Sequence, residues 1–322
     1  MAVVDCSSSA PVATDAGLDG EAADVAIDAC GDGNGLVALA TGQFHPGFIA
    51  VGGGSVYWAA NSSIMKRSTD ECGGPPSTFA TWDPQALQAD SANVYFTPRS
   101  SPLVMQCPAN DCSQPITLSI EDSVPPSIAV DATSVYWGST TTNGSPMTST
   151  IKRCAIGGCA QAPTALVSYA NSFMIPCIAV DGANLYWGDN NGDVMSCPIS
   201  GCTTPSILAS GQTPTAIAAD GKNVYWVASG NPGAVMKCAV GGCAQSPTTL
   251  ASGARPGNVL AVDGVNVYWL DAPNVVKCSV DGCAGSPTVT ASGQNGPLGP
   301  VLDATSLYWT TMDGNVMKLT PK

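Results

Sequence analysis

The sequence predicts an all-β fold, a seven-bladed β-propeller of four-stranded antiparallel blades, and three observations carry the prediction. An apolar-Tyr-aromatic line recurs at Tyr57-Trp58, Tyr95-Phe96, Tyr136-Trp137, Tyr186-Trp187, Tyr225-Trp226, Tyr268-Trp269 and Tyr308-Trp309. Successive tyrosines are 38, 41, 50, 39, 43 and 40 residues apart, and a period near 40 marks a repeat architecture. Each period splits into four short β-branched and aromatic runs separated by turn formers, the composition of one propeller blade. A single blade leaves both faces uncovered, so the copies must stack around an axis.

The chain begins with a segment unlike the rest. Residues 1–35 hold seven acids and no base, out of a net charge of −13 for the whole chain. A stretch rich in Ser, Ala, Asp and Gly cannot build a core and reads as an acidic flexible tether. The propeller is assigned to residues 36–322. Its first run, 36–42, matches the fourth strand of the other copies, whereas the last copy stops after its third strand, 316–319. The expectation is that 36–42 pairs antiparallel with 316–319, completes the blade of 301–319 and closes the ring, removing open strand edges.

The fifth copy shows the repeat clearly. Strand a covers 216–219, b 224–227, c 235–238 and d 248–251, separated by Asp-Gly, Asn-Pro-Gly and Gly-Gly breakers. The recurrent Asp90, Asp131, Asp181, Asp220, Asp263 and Asp303 end strand a. Each is placed to accept hydrogen bonds from the amides of the following turn; a catalytic ring is the competing reading. A base recurs on strand c, as Lys66, Arg153, Lys237, Lys277 and Lys318. This reads as a solvated strand position, with an anion-binding ring as the alternative.

Ten of the fourteen cysteines form Cys-x4-Cys pairs, Cys107/Cys112, Cys154/Cys159, Cys197/Cys202, Cys238/Cys243 and Cys278/Cys283. Each pair brackets a c–d turn, which brings the Cβ atoms within disulfide reach. Closing so small a loop is worth roughly 2 kcal/mol in the chain-entropy view. Zinc would need two pairs to converge, and these sit on separate blades. Five disulfides place the chain in an oxidising, extracytoplasmic compartment, secreted or tethered to the outer surface. Of the remaining Cys6, Cys30, Cys72 and Cys177, a Cys30–Cys72 pair is expected across the ring closure. Cys6, followed by three serines, resembles the start of a mature bacterial lipoprotein, which makes it a candidate for lipidation and a lipid anchor.

Tyr186-Trp-Gly-Asp189 comes within one residue of the YWTD motif, and the chain resembles YWTD/NHL-like propellers. The combination of Ala-Val-Asp, Val-Tyr-Trp, Val-Met-Lys-Cys and Leu-Ala-Ser-Gly over 36–322 is most similar to cysteine-rich extracytoplasmic propellers, often lipoproteins, of myxobacteria. That resemblance implies a fold and a compartment but no established reaction, so no catalytic residue carries over.

The single histidine all but excludes Ser-His-Asp, Cys-His and multi-histidine metal chemistry. No basic footprint for nucleic acid exists, and no apolar run is long enough to span a membrane. No cofactor is expected; Asp189-Asn-Asn-Gly-Asp193 is the one candidate for Ca2+, against a plain turn. The c–d turns are read as uniform and short, so binding is expected on the opposite face, built from b–c and d–a loops. The candidate binding residues there are His45, Trp82, Arg99, Tyr169, Phe173, Asp189, Asp193 and Arg255. The leading expectation is a non-catalytic binding or scaffold protein for a protein or glycan at the cell surface. A carboxylate-dependent hydrolase or lyase at the central channel is the alternative, and a structural surface-assembly component the third reading.

Overall fold

The computed structural model describes residues 4–5, 35–70, 75–141, 147–170, 175–189, 191–202, 204–230, 233–254 and 259–322. Cys6, Cys30, Cys72, Phe173 and Arg255 lie outside them, and with them the Cys30–Cys72 pairing and the lipidation of Cys6. The described chain forms seven sheets of antiparallel strands, each ordered a-b-c-d, with the two-residue strand Val4–Asp5 added beside strand a of blade 5. The a strands contact one another in a closed circuit, from Ile49–Gly52 through Pro84–Ala89, Ile128–Val130, Ile178–Val180, Pro214–Ala219, Leu260–Val262 and Leu298–Leu302 back to the first. They line the axis; the d strands form the rim. This is a seven-bladed β-propeller.

The ring closes as expected. Gly35–Ala40 lies antiparallel to Val316–Thr320, with Leu36 opposite Leu319 and Val37 opposite Lys318. It supplies the d strand of blade 7, whose other strands are Leu298–Leu302, Leu307–Thr310 and Val316–Thr320. In all seven blades the c–d pairing slips by one residue at a bulge, between Ala38 and Ala40 in this blade and between Ile64 and Met65 in blade 1. A bulge bends the strand and increases its twist, which suits an outer strand that must splay from the axis.

The aromatic line is the inter-blade core. Every Tyr of the line and every Trp of the line is fully buried, at successive positions of strand b, so the two side chains point to opposite faces of their blade. Each blade thereby presents a tyrosine to one neighbour and, except for Phe96 in blade 2, a tryptophan to the other.

The recurrent aspartates fold the a–b turn. In Asp181, Oδ1 accepts the amides of Ala183 and Asn184 at 2.9 and 2.7 Å. Its Oδ2 accepts the Tyr186 hydroxyl at 2.7 Å. The same three bonds recur around Asp90, Asp131, Asp220, Asp263 and Asp303. Blade 1 is the exception, and its glycine explains why. Gly52 stands at the aspartate position, and a Cβ there would collide with the main-chain carbonyl of Asp90. Tyr57 turns instead to the carbonyl of Ala109 in the next blade, at 2.7 Å.

This pairing has a consequence at high pH. Burial, reinforced by the Asp131 carboxylate, pushes Tyr136 up to about 12, and burial likewise pushes Tyr268 up to about 12. The fold holds the neutral hydroxyl, so this stabilisation is whole below the unfolded-state value of 10 and is lost as pH climbs from 10 toward 12. Near-ultraviolet titration is expected to show tyrosinate appearing together with cooperative unfolding. Ionisation of most tyrosines near pH 10 in a still-folded protein would contradict it.

The strand-c bases are neither solvated nor a ring of anion ligands. They are half-buried, and four of them donate to the main chain of a c–d turn in the adjoining blade. Lys66 reaches the carbonyl of Ala109 at 2.8 Å, Arg153 that of Ile199 at 3.0 Å, Lys237 that of Val280 at 2.8 Å and Lys318 that of Thr69 at 2.9 Å. The fifth, Lys277, lies 6.0 Å from the Tyr268 ring centre.

The five Cys-x4-Cys pairs, Cys107–Cys112, Cys154–Cys159, Cys197–Cys202, Cys238–Cys243 and Cys278–Cys283, are disulfides with Cα–Cα distances of 5.0 to 5.6 Å. The turns they pin are not uniform, which corrects the expectation from sequence. After Cys159, Cys243 and Cys283 three residues precede the next proline. The first of these, Ala160, Ala244 and Ala284, takes a left-handed φ of 52°, 50° and 52°. The sulfurs of Cys159, Cys243 and Cys283 rest against the carbonyls of Leu118, Leu208 and Leu250 on the preceding blade. Only two residues separate Cys112 and Cys202 from their prolines, so these two turns are one residue shorter. In blade 4 the widest of the five Cα–Cα distances, 5.6 Å, spans Cys197 and Cys202. There the Cys197 sulfur faces the carbonyl of its own neighbour Pro198 at 3.4 Å, while Cys202 packs half-buried against the core.

Blade 1 has Arg67 at its first cysteine position. Its buried guanidinium donates to the matching carbonyl, that of Leu39 on the closing strand. Multiple disulfides fit an oxidising, extracytoplasmic environment. Among the described residues, no helix is long and apolar enough to cross a membrane.

Candidate functional site

The loop-variable face is organised by one position of the d–a connection, the glycine of Leu-Ala-Ser-Gly. In Gly42, Gly211 and Gly293 the backbone takes φ of 66°, 65° and 69°, a left-handed conformation that glycine adopts without strain. A glutamine follows each. Gln43 and Gln294 accept the indole N–H of Trp58 and Trp309 at 3.2 and 3.0 Å. They thus satisfy the buried tryptophans of blades 1 and 7.

Three consecutive connections depart from this rule. Trp82, Glu121 and Tyr169 replace the glycine, and each side chain serves the blade that follows. Trp82 is half-buried against the cluster that contains Phe96. Tyr169 is half-buried with its ring 6.3 Å from that of Trp187. Burial pushes its hydroxyl up to about 12 against the opposing indole N–H of Trp187.

Glu121 is the most heavily bonded of the three. Its side chain is fully buried and pairs with the Lys152 ammonium at 2.6 Å. It also accepts Trp137 Nε1 at 2.9 Å, Ser119 Oγ at 2.6 Å and the Ser139 hydroxyl. Burial alone would raise its carboxyl, but Lys152, Ser119, Ser139 and Trp137 together outweigh that and hold it below its ordinary value. Sequence reasoning missed Glu121, although its place in the repeat, beside Trp82 and Tyr169, was the available signal.

The remaining predicted residues fall into two groups. His45 is exposed at a left-handed backbone position, with φ of 46°, and its ring meets Phe44 edge-on at 4.3 Å. Arg99 pairs with Asp83 at 3.3 Å, donates to Gln85 at 2.7 Å and lies 5.9 Å from the Phe48 ring centre. With Trp82 these residues follow the edge of blades 1 and 2. Asp189 and Asp193 lie on blade 4, next to Tyr169 at the end of strand d of blade 3. Asp189 Oδ1 accepts the amides of Asn191 and Asp193 at 2.9 and 2.8 Å, and Asp193 accepts that of Gly211 at 3.0 Å. Asp189 thus folds the b–c hairpin, and Asp193 ties that hairpin to the d–a connection of the same blade. Among the described residues, no group of three or more His, Cys, Asp or Glu is arranged to hold a metal.

The face exposes large apolar side chains among its polar ones. Phe44 is 64% and Met312 50% accessible. The Gln43 amide bonds the carbonyl of Gly314 at 2.9 Å, tying the loop of Phe44 and His45 to the turn of Met312. Sequence reasoning passed over both residues. Phe44 stands where the matching loops have Thr213 and Asn295, and that substitution was the signal. On the opposite face, Lys66, Arg67, Phe79, Asn110 and Asp111 line a polar cleft beside blade 1. Its two cations are already bonded to main-chain carbonyls of neighbouring blades.

No known family's sequence profile and no curated protein matches the chain. Solved structures do. Virginiamycin B lyase from Staphylococcus aureus aligns at a TM-score of 0.66 and 15% identity, over 88% of this chain and 98% of the lyase. The computationally designed protein Ika8 aligns at 0.58 and 15%, over 89% and 100%. BamB from Moraxella catarrhalis aligns at 0.53 and 13%, over 89% and 91%. This likeness shows the fold alone. It joins an enzyme, a designed protein and BamB on one scaffold, and function has to be argued from this chain's own loops.

Proposed function

We propose that the chain is a secreted, non-catalytic propeller that binds a protein partner through the loop face of blades 7, 1 and 2. The observation that carries this is the exposed pair Phe44 and Met312 beside His45 and Arg99. Phe, Met and Arg are residue types enriched in protein interfaces. A glycan is the less favoured partner because the exposed Phe44 and Met312 side chains offer a sugar no strong hydrogen-bonding group. The carboxylates support the non-catalytic reading. The six recurrent aspartates, Asp189, Asp193 and Glu121 are all occupied by donors from within the fold. The backbone of Val4–Asp5 also pairs with the a strand of blade 5, covering part of the channel wall that an enzyme site there would use.

The test is a Phe44→Ala/Met312→Ser variant. Both side chains are exposed, so stability is expected to stay within about 0.5 kcal/mol of wild type. Surface-protein capture and glycan-array binding are then compared between the two proteins. Loss of a captured protein from the variant supports the reading. Glycan binding that survives the substitutions, or equal capture by both proteins, removes it.

A further inference from the structure

We infer that the cleft between blades 1 and 2, on the face of the c–d turns, binds a sugar acid, a single sugar ring carrying one carboxylate. The cleft holds about 470 Å3, room enough for one such ring.

The cleft opens because two fillers that occur at other seams are both missing from this one. In blades 3, 5 and 6 the sulfur of the second cysteine rests on a carbonyl of the preceding blade, and at the seam of blades 7 and 1 Arg67 takes the matching carbonyl. The c–d turn of blade 2 is one residue shorter than those of blades 3, 5 and 6, and among the described residues its Cys112 makes no such contact. The second filler is a branched side chain two residues past the first cysteine. Blades 3 to 6 carry Ile156, Ile199, Val240 and Val280 there, all packed against the core. Blade 2 carries Ala109. One wall of the space is also unlike the rest. Phe79 stands at the bulge of strand d, where five of the other six blades have leucine.

The lining is rich in donors and carries an unbalanced charge. Lys66 spends one of its N–H donors on the Ala109 carbonyl at 2.8 Å, which the Tyr57 hydroxyl shares at 2.7 Å. Its other donors are unspent, and no carboxylate lies within ion-pair distance of it among the described residues. The Asn110 side-chain amide lines the cleft and has no partner among the described residues, and the hydroxyls of Ser55 and Thr78 line it as well. The Phe79 ring centre lies 5.7 Å from Lys66 Nζ. A lysine with donors to spare holds a carboxylate by charge-assisted bonds. The amide and hydroxyls match the hydroxyls of a sugar, and the aromatic ring matches its C–H face. Asp111 limits the charge of the occupant. Its carboxylate lines the cleft while accepting the Ser113 amide and hydroxyl at 2.8 and 2.7 Å, so it opposes a dianion such as sulfate more than a monoanion.

Calorimetric titration of the full chain with galacturonate and glucuronate, beside galactose, glucose and sulfate, tests this. A uronate is expected to bind at least about tenfold more tightly than its neutral sugar, the difference made by hydrogen bonds to a charged group, and more tightly than sulfate. Ala109→Ile gives this turn the side chain that blade 4 carries at the same position, and it keeps the carbonyl that Lys66 and Tyr57 use. Phe79→Leu restores the residue of the other blades. Each folded variant is expected to lose at least about tenfold in uronate affinity, and loss in either supports the inference. No uronate binding by wild type, equal affinity for the neutral sugars, tighter binding of sulfate, or uronate affinity that survives both substitutions overturns it.

Discussion

Deleting residues 1–40 is expected to leave a ring that no longer melts in one cooperative step. The deletion removes the d strand of blade 7, exposes the backbone edge of Val316–Thr320, and strips away Leu39 and Ala40, which are 3% and 4% accessible in the seam. An open edge next to uncovered apolar surface is a template for association, so soluble yield should fall and the remainder should aggregate on heating. A single substitution makes the test quantitative. Leu39→Ala deletes a buried side chain from the seam between blades 7 and 1, at a cost of about 3 kcal/mol. That corresponds to a fall in Tm of roughly 5 °C for a domain of this size. A truncated protein that melts sharply at the wild-type temperature would show that the closing strand is dispensable.

Glu121→Ala is expected to be the most damaging single change on the loop face. It leaves the Trp137 indole N–H and the Ser139 hydroxyl without their acceptor and Lys152 without its counter-ion. Breaking a buried pair from one side costs about 3–5 kcal/mol. Glu121→Gln separates geometry from charge. Its amide oxygen can still accept from Trp137, as Gln43 and Gln294 do for their tryptophans, so the expected cost is about 1 kcal/mol. The two variants also differ in pH response. The wild-type carboxyl is held below its ordinary value of 4.5. Its contribution is therefore complete above that pH and is lost as pH falls through the folded value. Chemical denaturation from neutral pH down into the acid range should show that loss in wild type and a flatter profile in Glu121→Gln. Equal acid sensitivity in both proteins would remove the carboxylate from the account.

Features repeated within the chain were the legible ones. Seven tyrosines at one period gave the blade count, and the unmatched fourth strand at 36–42 gave the closure, because both are patterns that the chain compares with itself. The turn aspartates were read correctly as acceptors of local amides. Their second partner, the tyrosine five residues on, was not anticipated, since nothing in a linear repeat shows which buried hydroxyl folds back. The strand-c bases failed for a different reason: their acceptors are main-chain carbonyls of another blade, and a carbonyl has no sequence signature. The c–d turns looked alike because their cysteine spacing is constant, yet the missing residue after Cys112 and Cys202 was there to be counted. Gly52 was visible as a missing aspartate, but the Asp90 carbonyl that forbids a side chain there is a contact between blades. On the candidate face, the departures from Leu-Ala-Ser-Gly were visible as departures from the repeat. Trp82 and Tyr169 are packed against the next blade, whereas Phe44 and Met312 are exposed.

The amine-to-carbonyl contact between successive blades bears on how such a ring changes size. Lys66, Lys237 and Lys318 each offer the same donor, from the same strand, to the same kind of turn. Blades 1, 5 and 7 therefore share one outgoing connector, and blades 2, 6 and 1 one way of receiving it. A duplicated copy of one of these blades would meet a neighbour already equipped to receive it, provided the circle can still close. Genetic gain or loss of whole repeat units, each about 40 residues long, is thus a short evolutionary step for this scaffold. Blade number should drift among its relatives more readily than the connectors themselves.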